Sequence, residues 1–500
     1  MKARLSDDSV ARALDSKSVE VQLRHREINT ELVGSFGLHW MEPLLQISLE
    51  NKEYTFSNVS DSKLAEVLQS LPPDGVPESN SSFIGPISGQ KYLKNQQRLV
   101  FDRAGNVNPL ALPRSETLES ILSSEPETLI DAIETSGLRG RGGAGFPAHI
   151  KWRTVADTQS DQKYVVCNAD EGDSGTFSDR MLMEGDPFKL IEGMVIAGYA
   201  TGSSRGLIYL RSEYPVALEY LSEAIDIAYS NRWLGNEIFG SRFNFNLEIF
   251  VGAGAYICGE ETSLLESLEG KRGEIRYKPP VPAIAGLFGK PTLVHNVITL
   301  ASIPGIFEIG AREYAGLGVG PSTGTMPFQI SGNVKRGGLI EIPFGTPVRT
   351  LVEEFGEGTL SGRPFRTVQI GGPLGAYLSE KELDTPLTYE HMEEIGAGVG
   401  HGGLVVFDDT VDLREQAEYA FEFCEIESCG KCTPCRIGSV RGKETMRQFK
   451  DGVDIRTYQL VEDLCDVMEQ ASLCQMGGMT PIPVRSAMKH FPEDFGRNGF

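Results

Sequence analysis

Apolar and polar positions recur along this chain with periods that change from one segment to the next. Residues 43–59 alternate between apolar and polar, which predicts two strands around a turn at Asn51–Lys52. The next segment repeats leucine and valine at helical spacing, and the helix is expected to stop at Pro72–Pro73. Residues 74–97 are rich in Gly, Ser, Pro and Asn, which predicts a linker or a segment that wraps a partner.

Strand and helix patterns alternate through the middle of the chain. A helical stretch at residues 115–138 leads into the glycine-rich segment GRGGAGFP. Beyond it, strand-like and helix-like segments follow one another at 163–172, 186–202, 205–213, 215–230 and 245–256. This β-α-β-α-β order predicts a three-layer domain built on a parallel sheet.

The pattern changes again in the last third of the chain. Two apolar segments within 328–345 are expected to pair as a hairpin, a helix follows from Thr346–Pro347 to Phe355, and 367–373 gives a third strand. This order predicts a small β-grasp module. From Val411 onward strand patterns are nearly absent, so we expect a helical bundle at the end of the chain.

Charge and composition limit the partners that this chain can bind. Its 500 residues carry 47 Lys and Arg against 69 Asp and Glu, a formal charge of −22. A field of this sign repels nucleic-acid phosphates and anionic membranes, which argues against a nucleic-acid module. The first residues lack the apolar core of a secretory signal, and no apolar run is long enough to span a bilayer. Since the eight cysteines are unevenly spread, we expect reduced thiols in a soluble cytoplasmic protein.

Three of the eight cysteines lie within seven residues, in the segment SCGKCTPCR. Cys429, Cys432 and Cys435 have the spacing of a loop whose thiolates cap separate irons of a cuboidal iron–sulfur cluster. Zinc prefers two separated pairs of ligands, so three equally spaced thiols fit it less well. Three packed cysteines without a ligand are the remaining alternative. The spacing therefore favours an iron–sulfur cluster.

A cuboidal cluster needs a fourth thiolate from elsewhere in the chain. Cys465 lies on an apolar helix face, and Cys424 follows the apolar run AFEF, so both have the pattern of buried core residues. Cys474 instead ends a helix and enters a turn with two glycines, where backbone freedom lets a thiolate face a metal. We therefore expect Cys474 to be the fourth ligand.

Glycine-rich loops are the candidate anion sites. Residues 137–145 contain five glycines and two arginines, so backbone amides and positive charge can surround an anion, although a flexible hinge is the alternative. A second loop, 252–256, follows a strand and precedes a helix that Thr262 is expected to cap. The acidic loop 168–173 also follows a strand. Because ligands bind at the carboxyl ends of parallel strands, both strand-end loops are candidates, with a metal site as the alternative for the acidic loop.

Several long motifs of this chain resemble one protein family. The segments are GLRGRGGAGFP, CNADEGDSG, AYICGEETSLLESLEG, HNVITL and ESCGKCTPCR with a distant SLC. Together, over about residues 100–500, they resemble the flavin subunit of respiratory complex I, the 51 kDa family. The same subunit occurs in NAD-reducing hydrogenases and NAD-dependent formate dehydrogenases. The continuation CRIGSVRG is most similar to the beta subunit of NAD-dependent formate dehydrogenase.

The resemblance implies roles for individual residues. Those that match FMN-contacting positions are Gly140, Arg141, Gly142, Gly143, Lys151, Asn168, Asp170, Glu171, Tyr256, Gly259, Glu260, Asn296 and Thr299. Phe146 matches a ring that stacks on adenine, and Glu261 matches a carboxylate over the dinucleotide. Asp173 stands where many relatives have glutamate, one methylene longer. The implied ligands of a [4Fe-4S] cluster are Cys429, Cys432, Cys435 and Cys474.

The resemblance also implies a multidomain α/β fold. The expected divisions are a degenerate thioredoxin-like piece and linker at 1–100, a Rossmann-like FMN- and NAD-binding domain at 101–320, a β-grasp (SLBB) domain at 321–408 and a helical [4Fe-4S] domain at 409–500. Some relatives begin with a thioredoxin-like domain that holds a [2Fe-2S] cluster. Residues 1–80 contain no cysteine, so no second cluster is expected there.

The implied function is electron exchange between NAD(H), FMN and the cluster. We expect NAD to be reduced with electrons from formate oxidised in a molybdenum- and iron–sulfur-bearing partner subunit, assisted by a small [2Fe-2S] thioredoxin-like subunit. The equivalent subunit of a hydrogenase or of complex I is the alternative. Hydride transfer needs no acid–base residue, so no catalytic side chain is expected. Glu261 and Asp173 are expected to repel the 2′-phosphate of NADP.

Overall fold

The chain folds into an N-terminal mixed sheet, a parallel sheet between helices, a second mixed sheet and a C-terminal group of helices. This computed structural model describes residues 2–8, 16–49, 52–71, 80–114, 116–449 and 455–496. The turn expected at Asn51, the stop at Pro72–Pro73 and the first residues of the expected linker lie outside these ranges. Among the helices of the described ranges, none combines the length and apolar character that a membrane crossing requires.

The N-terminal sheet has five strands. Its elements are β1 (Lys2–Ser6), α1 (Ser16–His25), β2 (Asn29–Val33), β3 (Leu44–Leu49), β4 (Lys52–Phe56), α2 (Asp61–Gln69), β5 (Phe83–Gly85) and α3 (Lys91–Lys94). The strand order is β2-β1-β3-β4-β5, with β1 parallel to β2 and antiparallel to β3. The predicted hairpin and following helix are confirmed, and Leu64 and Val67 of α2 are buried. The segment predicted as a linker instead contributes β5 and α3.

A four-stranded parallel sheet forms the centre of the molecule. Its elements are α4 (Glu116–Ile121), α5 (Pro126–Ser136), α6 (Ala148–Asp157), β6 (Tyr164–Ala169), α7 (Ser178–Gly185), α8 (Pro187–Thr201), β7 (Arg205–Leu210), α9 (Pro215–Ser230), β8 (Asn246–Val251), α10 (Glu261–Leu268), α11 (Pro282–Ala285), β9 (Thr292–Asn296), α12 (Val297–Ile309) and α13 (Ala311–Ala315). The strand order is β8-β7-β6-β9, and every pairing is parallel. The predicted alternation of strands and helices is confirmed. The chain reverses its direction across the sheet between β6 and β9, which opens a crevice at their carboxyl ends.

The second mixed sheet follows a short hairpin. The hairpin consists of β10 (Gly318–Val319) and β11 (Ser322–Thr323). The elements of the sheet are β12 (Thr325–Gly332), β13 (Gly338–Pro343), β14 (Phe365–Ile370), β15 (Ala376–Leu378), α14 (Tyr389–Glu394) and β16 (Gly403–Asp408). The order is β13-β12-β16-β14-β15, with β12 and β16 parallel at the centre. The predicted hairpin is the antiparallel pair β12 and β13. The helix expected to end at Phe355 is present, and its last turn, Thr350–Phe355, is π-helical.

The end of the chain is helical, as its pattern predicts. The helices are α15 (Leu413–Glu427), α16 (Thr433–Gln448), α17 (Ile455–Ala471), α18 (Gln475–Met479) and α19 (Pro481–His490). Cys465 is fully buried among apolar side chains from several of these helices, as expected for a core residue. Cys424 is equally buried.

The N-terminal sheet docks on the parallel-sheet unit through helix α7. The guanidinium of Arg180 donates to both carboxylate oxygens of Asp8 at 3.0 and 2.8 Å, and both side chains are about nine-tenths buried. The two backbones also meet closely, since a Cβ on Gly34 would lie 2.4 Å from the Cα of Gly185. A bidentate buried ion pair beside a glycine–glycine contact fixes the orientation of the two units.

Candidate functional site

Two asparagines stand side by side where β6 and β9 end. Asn168 and Asn296 are partners in the register of these strands. The amide of Asn168 donates to the carbonyl of Gly259 at 2.8 Å, and the amide of Asn296 donates to Asp179 at 2.7 Å. Asn296 also caps α12 by accepting from the backbone N–H of Ile298 at 2.9 Å. The crevice therefore has a polar floor whose side chains are held in fixed directions.

The glycine-rich loop lies over this floor. The N–H of Gly140 donates to the carbonyl of Phe146 at 2.8 Å, which closes the loop on itself. A Cβ at Gly142 would lie 2.8 Å from the Cβ of Asn296, so only glycine permits this approach. Gly143 has φ +123°, and a Cβ added there would meet no atom within 4 Å. The loop thus presents bare backbone to open space at Gly143, as a flavin or phosphate site requires.

Arg141 occupies a different place from the one its motif suggests. Its guanidinium is fully buried and donates to the hydroxyl of Tyr314 at 2.9 Å and the carbonyl of Thr323 at 2.8 Å. It also stacks on the ring of Phe344 at 4.7 Å. Its backbone N–H donates to the hydroxyl of Thr299 at 2.8 Å. The guanidinium of Arg141 therefore contacts residues next to the second mixed sheet, while the backbone of Arg141 remains part of the glycine-rich loop.

Asp170 carries an unsatisfied oxygen at the end of β6. Its backbone N–H donates to the side chain of Asn168 at 3.2 Å. Its Oδ2 is buried without a hydrogen-bond partner among the residues that the structure describes. Burial raises the pKa of Asp170 to about 7, although the nearby Arg211 lowers it. An orphaned acceptor in this crevice fits a polar group of a bound cofactor.

The other two carboxylates of the acidic loop already have protein partners. Glu171 is buried and accepts the backbone N–H groups of Asp179 and Arg180, both at 3.1 Å, at the start of α7. Asp173 accepts the hydroxyl of Tyr256 at 2.7 Å, which ties the acidic loop to the second loop. The side chain of Glu171 therefore ties the acidic loop to the start of α7, and its backbone carbonyl accepts from the side chains of Arg211 and Tyr214.

Glu260 begins helix α10. Its carboxylate accepts the backbone N–H groups of Thr262 at 2.8 Å and Ser263 at 3.0 Å. The sequence predicts Thr262 as the cap, and this prediction is wrong because the glutamate two residues earlier reaches both amides. The hydroxyl of Thr262 instead accepts the N–H of Arg276 at 2.8 Å. Glu260 therefore sets where the helix starts, next to the carbonyl of Gly259.

Glu261 is held between two lysines. The ammonium groups of Lys151 and Lys278 lie 2.9 and 3.0 Å from its carboxylate oxygens. Burial raises the pKa of Glu261, but the two lysines outweigh it and hold the pKa at about 2. The carboxylate is therefore ionised, and because Lys278 also lies 2.9 Å from a carboxylate oxygen of Glu260, the two lysines balance two carboxylates. Phe146, at the far end of the glycine-rich loop, is 45% exposed and leaves its ring available for stacking.

The four predicted cluster cysteines meet at one end of the helical unit. Cys429 and Cys432 lie in the loop between α15 and α16, Cys435 lies in the first turn of α16, and Cys474 precedes α18 with extended backbone. Cys435 is buried and the other three are partly buried. Burial, together with the nearby Glu260 and the thiols of Cys435 and Cys429, raises the pKa of Cys474 to about 12. A cationic iron cluster relieves this cost by binding the thiolates.

Several contacts at these sites join residues that no local sequence pattern pairs. Cys424 has its sulfur 3.6 Å from that of Cys435, although the two are eleven positions apart on different helices. Lys278 reaches its partners from the segment between α10 and α11, and Asp179 reaches its partners from helix α7. His401 lies between two glycines before β16, and a single histidine in a glycine-rich stretch matches no motif. Only the folded chain brings these side chains to the crevice and the cysteines.

Family comparisons agree with these two sites. Residues 133–305 match the Nuo51 FMN-binding domain, and residues 415–498 match the NADH-ubiquinone oxidoreductase-F iron-sulfur binding region. The first range contains the crevice with its glycine-rich loop, and the second contains all four predicted cluster cysteines.

Individual relatives cover most of the chain. It is 42% identical over 409 residues to the HndC protein of the NADP-reducing hydrogenase of Solidesulfovibrio fructosivorans, which covers 80% of this chain and 83% of that protein. It is 38% identical to NuoF-type protein F of the NADH-quinone oxidoreductase of Escherichia coli, over 75% of this chain and 85% of that protein.

A solved structure resembles nearly the whole fold. A chain of the NAD⁺-reducing [NiFe]-hydrogenase in its H₂-reduced state superposes with a TM-score of 0.71 and 29% identity, over 99% of this chain and 83% of that one. This chain therefore belongs to the NADH-ubiquinone oxidoreductase-F family: it is a mixed α/β multidomain protein whose cofactors are FMN, a [4Fe-4S] cluster and NAD.

Proposed function

We propose that this chain is a diaphorase subunit that exchanges hydride between NAD(H) and FMN and single electrons between FMN and a [4Fe-4S] cluster. The observation that carries the proposal is the presence, in one chain, of a polar crevice at Asn168 and Asn296 and of a four-cysteine site. Bound FMN supplies the exchange of one two-electron hydride for two single electrons. The protein has to hold and align the partners, so we assign no catalytic side chain.

The residues of the crevice divide this task among them. We assign FMN binding to the glycine-rich loop, to the orphaned oxygen of Asp170 and to the segment from Asn296 to Thr299. The exposed ring of Phe146 is suited to stack on adenine, and Lys151 with Glu261 gives a charged pair near the dinucleotide. Tyr256 and Asp173 hold the second loop against the acidic loop and so keep the crevice closed on that side.

The strand orders support the domain names that the family resemblance implies. Order β2-β1-β3-β4, with β1 parallel to β2, suits a thioredoxin-like unit, and order β13-β12-β16-β14-β15, with its parallel central pair, suits a β-grasp. The reversal between β6 and β9 suits a Rossmann-like FMN domain. Without a cysteine before Cys167, the N-terminal unit serves as a docking piece and holds no iron–sulfur cluster.

The electron partner has more than one candidate. The continuation CRIGSVRG supports a formate dehydrogenase, with a molybdenum- and iron–sulfur-bearing subunit and a small [2Fe-2S] thioredoxin-like subunit. The relatives named above support a hydrogenase or complex I with equal weight. We propose the formate-oxidising complex, in the cytoplasm, as the first assembly to test.

A visible spectrum and one activity test the diaphorase proposal. The purified chain should show flavin bands over a broad iron–sulfur absorption, and it should reduce ferricyanide with NADH. A colourless protein would favour a β-grasp ligand-binding role, and a zinc-loaded colourless protein would favour a zinc module. Either result would end the proposal.

Isolation of the native complex tests the partner. The tagged chain is purified with its partners. NAD reduction is measured with formate and with hydrogen as electron donors, and NADH oxidation is measured with a quinone as electron acceptor. NAD reduction by formate supports the formate dehydrogenase assignment. Reduction by hydrogen alone, or quinone-linked NADH oxidation alone, would replace it with a hydrogenase or with complex I and would leave the diaphorase proposal intact.

A further inference from the structure

His401 joins the second mixed sheet to the flavin crevice. It lies in the turn before β16 and is 5% exposed. Its Nδ1 lies 2.8 Å from the backbone carbonyl oxygen of Arg141, in the glycine-rich loop. Its Nε2 lies 3.0 Å from a carboxylate oxygen of Asp179 and 3.4 Å from one of Glu171. The ring therefore spans from the loop above the crevice to the helix below it.

Both ring nitrogens of His401 face acceptors. A carbonyl oxygen accepts only, so Nδ1 carries a proton toward Arg141, and Nε2 carries one toward the two carboxylates. Burial lowers the pKa of His401, but Asp179 and Glu171 outweigh it and raise the pKa well above its usual value. The hydroxyl of Ser178, 3.2 Å from Nε2, completes the surroundings. A metal ion would need a lone pair on Nε2, and this geometry fits an imidazolium instead.

The same loop is held from its other side. The backbone N–H of Arg141 donates to Thr299 of α12 at 2.8 Å, so one residue is gripped through its N–H by α12 and through its carbonyl by His401. The neighbouring Gly143 also forms a backbone bridge to Gly400, next to the histidine. The bare backbone at Gly143 is thus fixed relative to the crevice by the second mixed sheet.

We propose that His401 is a positioning residue of the flavin site, which holds the glycine-rich loop at the distance from Asn168 and Asn296 that FMN binding requires. It acts through Arg141 and Asp179, because Asp179 in turn receives the amide of Asn296 at the floor of the crevice. The second mixed sheet is then part of the flavin-binding apparatus. This inference rests on the assignment of FMN to the crevice.

The test compares His401→Gln with His490→Gln in the full-length protein. His490 also pairs with a carboxylate, the partly buried Glu382 at 3.2 Å, but lies on α19 outside the crevice. FMN is removed and titrated back, and iron content and melting temperature are measured on the same samples. We expect the FMN Kd of His401→Gln to rise about tenfold or more, the usual effect of losing a charged hydrogen bond, with iron unchanged. His490→Gln should keep the wild-type Kd. An unchanged Kd in His401→Gln would overturn the proposal.

A double variant separates positioning from charge neutralisation. His401→Leu removes every donor at this position and leaves two buried carboxylates without a cation, which alone can destabilise the fold. In His401→Leu with Asp179→Asn, one of the two negative charges is removed as well. We expect the melting temperature to recover while the FMN Kd stays weak, because the carbonyl of Arg141 still lacks its donor. Recovery of both together would show that His401 only neutralises charge and would overturn the proposal. A wild-type protein that takes up no FMN in the same titration would instead count against the proposed function itself.

Discussion

Cys474 shows how a residue acquires its role from its position in the fold. It precedes a short helix with extended backbone, near Cys435 and Cys429, and its neighbours are glycine-rich. Cys465 is a cysteine of the same helical unit that is fully buried among apolar side chains. One thiol is placed to bind iron and the other to pack. Exchange of each for serine should therefore have opposite consequences.

We predict that Cys474→Ser loses most of its iron and keeps its FMN, because the crevice lies in a different unit of the chain. Its NADH–ferricyanide activity should largely survive, while electron transfer to partner subunits fails. Cys465→Ser is the matched control and should keep its iron while its melting temperature falls through lost packing. Iron and flavin are measured by metal analysis and absorbance. Wild-type iron in Cys474→Ser would mean that another thiol, such as Cys424, closes the cluster.

Choice between NADH and NADPH should follow the charges around Glu261. The sequence predicts that this carboxylate repels a 2′-phosphate, but the structure surrounds it with Lys151 and Lys278. Glu261→Gln leaves Lys151 without this carboxylate, while Lys278 keeps its pair with Glu260 at 2.9 Å, so the local charge becomes more positive and kcat/KM for NADPH relative to NADH should rise about tenfold. Lys278→Gln should lower that ratio, and Lys271→Gln, an exposed lysine that pairs with Glu269 at 2.7 Å, should leave it unchanged. Equal ratios in all three variants would show that these charges do not face the adenosine ribose.

Asp170 should make the flavin-free protein sensitive to pH. Its folded pKa of about 7 exceeds the usual value for an unfolded aspartate, about 4, so the folded chain retains a proton that the unfolded chain has released. The stability of the flavin-free protein should therefore fall as pH rises from about 4 to about 7. Asp170→Asn should flatten this slope and melt higher at alkaline pH, yet bind FMN more weakly because an acceptor oxygen is lost. Thermal melts across this pH range measure the slope, and titration with FMN measures the affinity. If Asp170→Asn keeps the wild-type slope, a group other than Asp170 causes the pH dependence.

At the scale of elements, the sequence predicts what is local and misses what is distant. The strands and helices from β6 to β8 follow from periodicity, because each buries one face or all faces of a continuous segment. The register that places Asn168 beside Asn296 joins residues far apart in the chain, and no local pattern encodes it. The glycine-rich loop and the cysteine loop are recognisable because their chemistry is written in contiguous residues. His401 is not, because its partners come from three other elements.

Glu341 of β13 anchors the residues that directly follow the segment predicted as a linker. Its buried carboxylate accepts the backbone N–H groups of Leu99, Val100 and Phe101 and the hydroxyl of Thr325. Glu341→Gln places an amide N–H₂ against backbone donors, so we predict a loss of about 2 kcal/mol in the free energy of unfolding. The exposed Glu353→Gln should change it by less than about 0.5 kcal/mol. Chemical denaturation measures both, and equal effects would mean that Glu341 does not hold these residues.

At the scale of the whole molecule, helix α7 connects three parts of the fold. Backbone N–H groups at its start donate to the carboxylate of Glu171, and the carboxylate of Asp179 lies 3.0 Å from the ring of His401. The side chain of Arg180 binds Asp8 of the N-terminal unit, and the last residue of the helix contacts Gly34. A change in how the N-terminal unit docks is therefore transmitted to the acidic loop beside the flavin crevice. The N-terminal unit carries no cysteine, and its docking contact gives it a structural reason to remain in the chain.

Asp8→Asn tests this connection. Removal of one charge from a buried bidentate pair leaves the guanidinium of Arg180 with the longer contact to Glu184, at 3.8 Å, so we expect a cost of about 3 kcal/mol in docking free energy. We predict faster hydrogen exchange in β1 and β2 and a larger radius of gyration in solution scattering, together with weaker FMN binding through α7. Glu31→Gln breaks only the exposed pair with Arg4 in the same unit, 3.6 Å apart, and should change neither the scattering nor the FMN Kd. If Asp8→Asn undocks the N-terminal unit while the FMN Kd stays at the wild-type value, α7 does not couple the two sites, and the N-terminal unit serves only to bind partners.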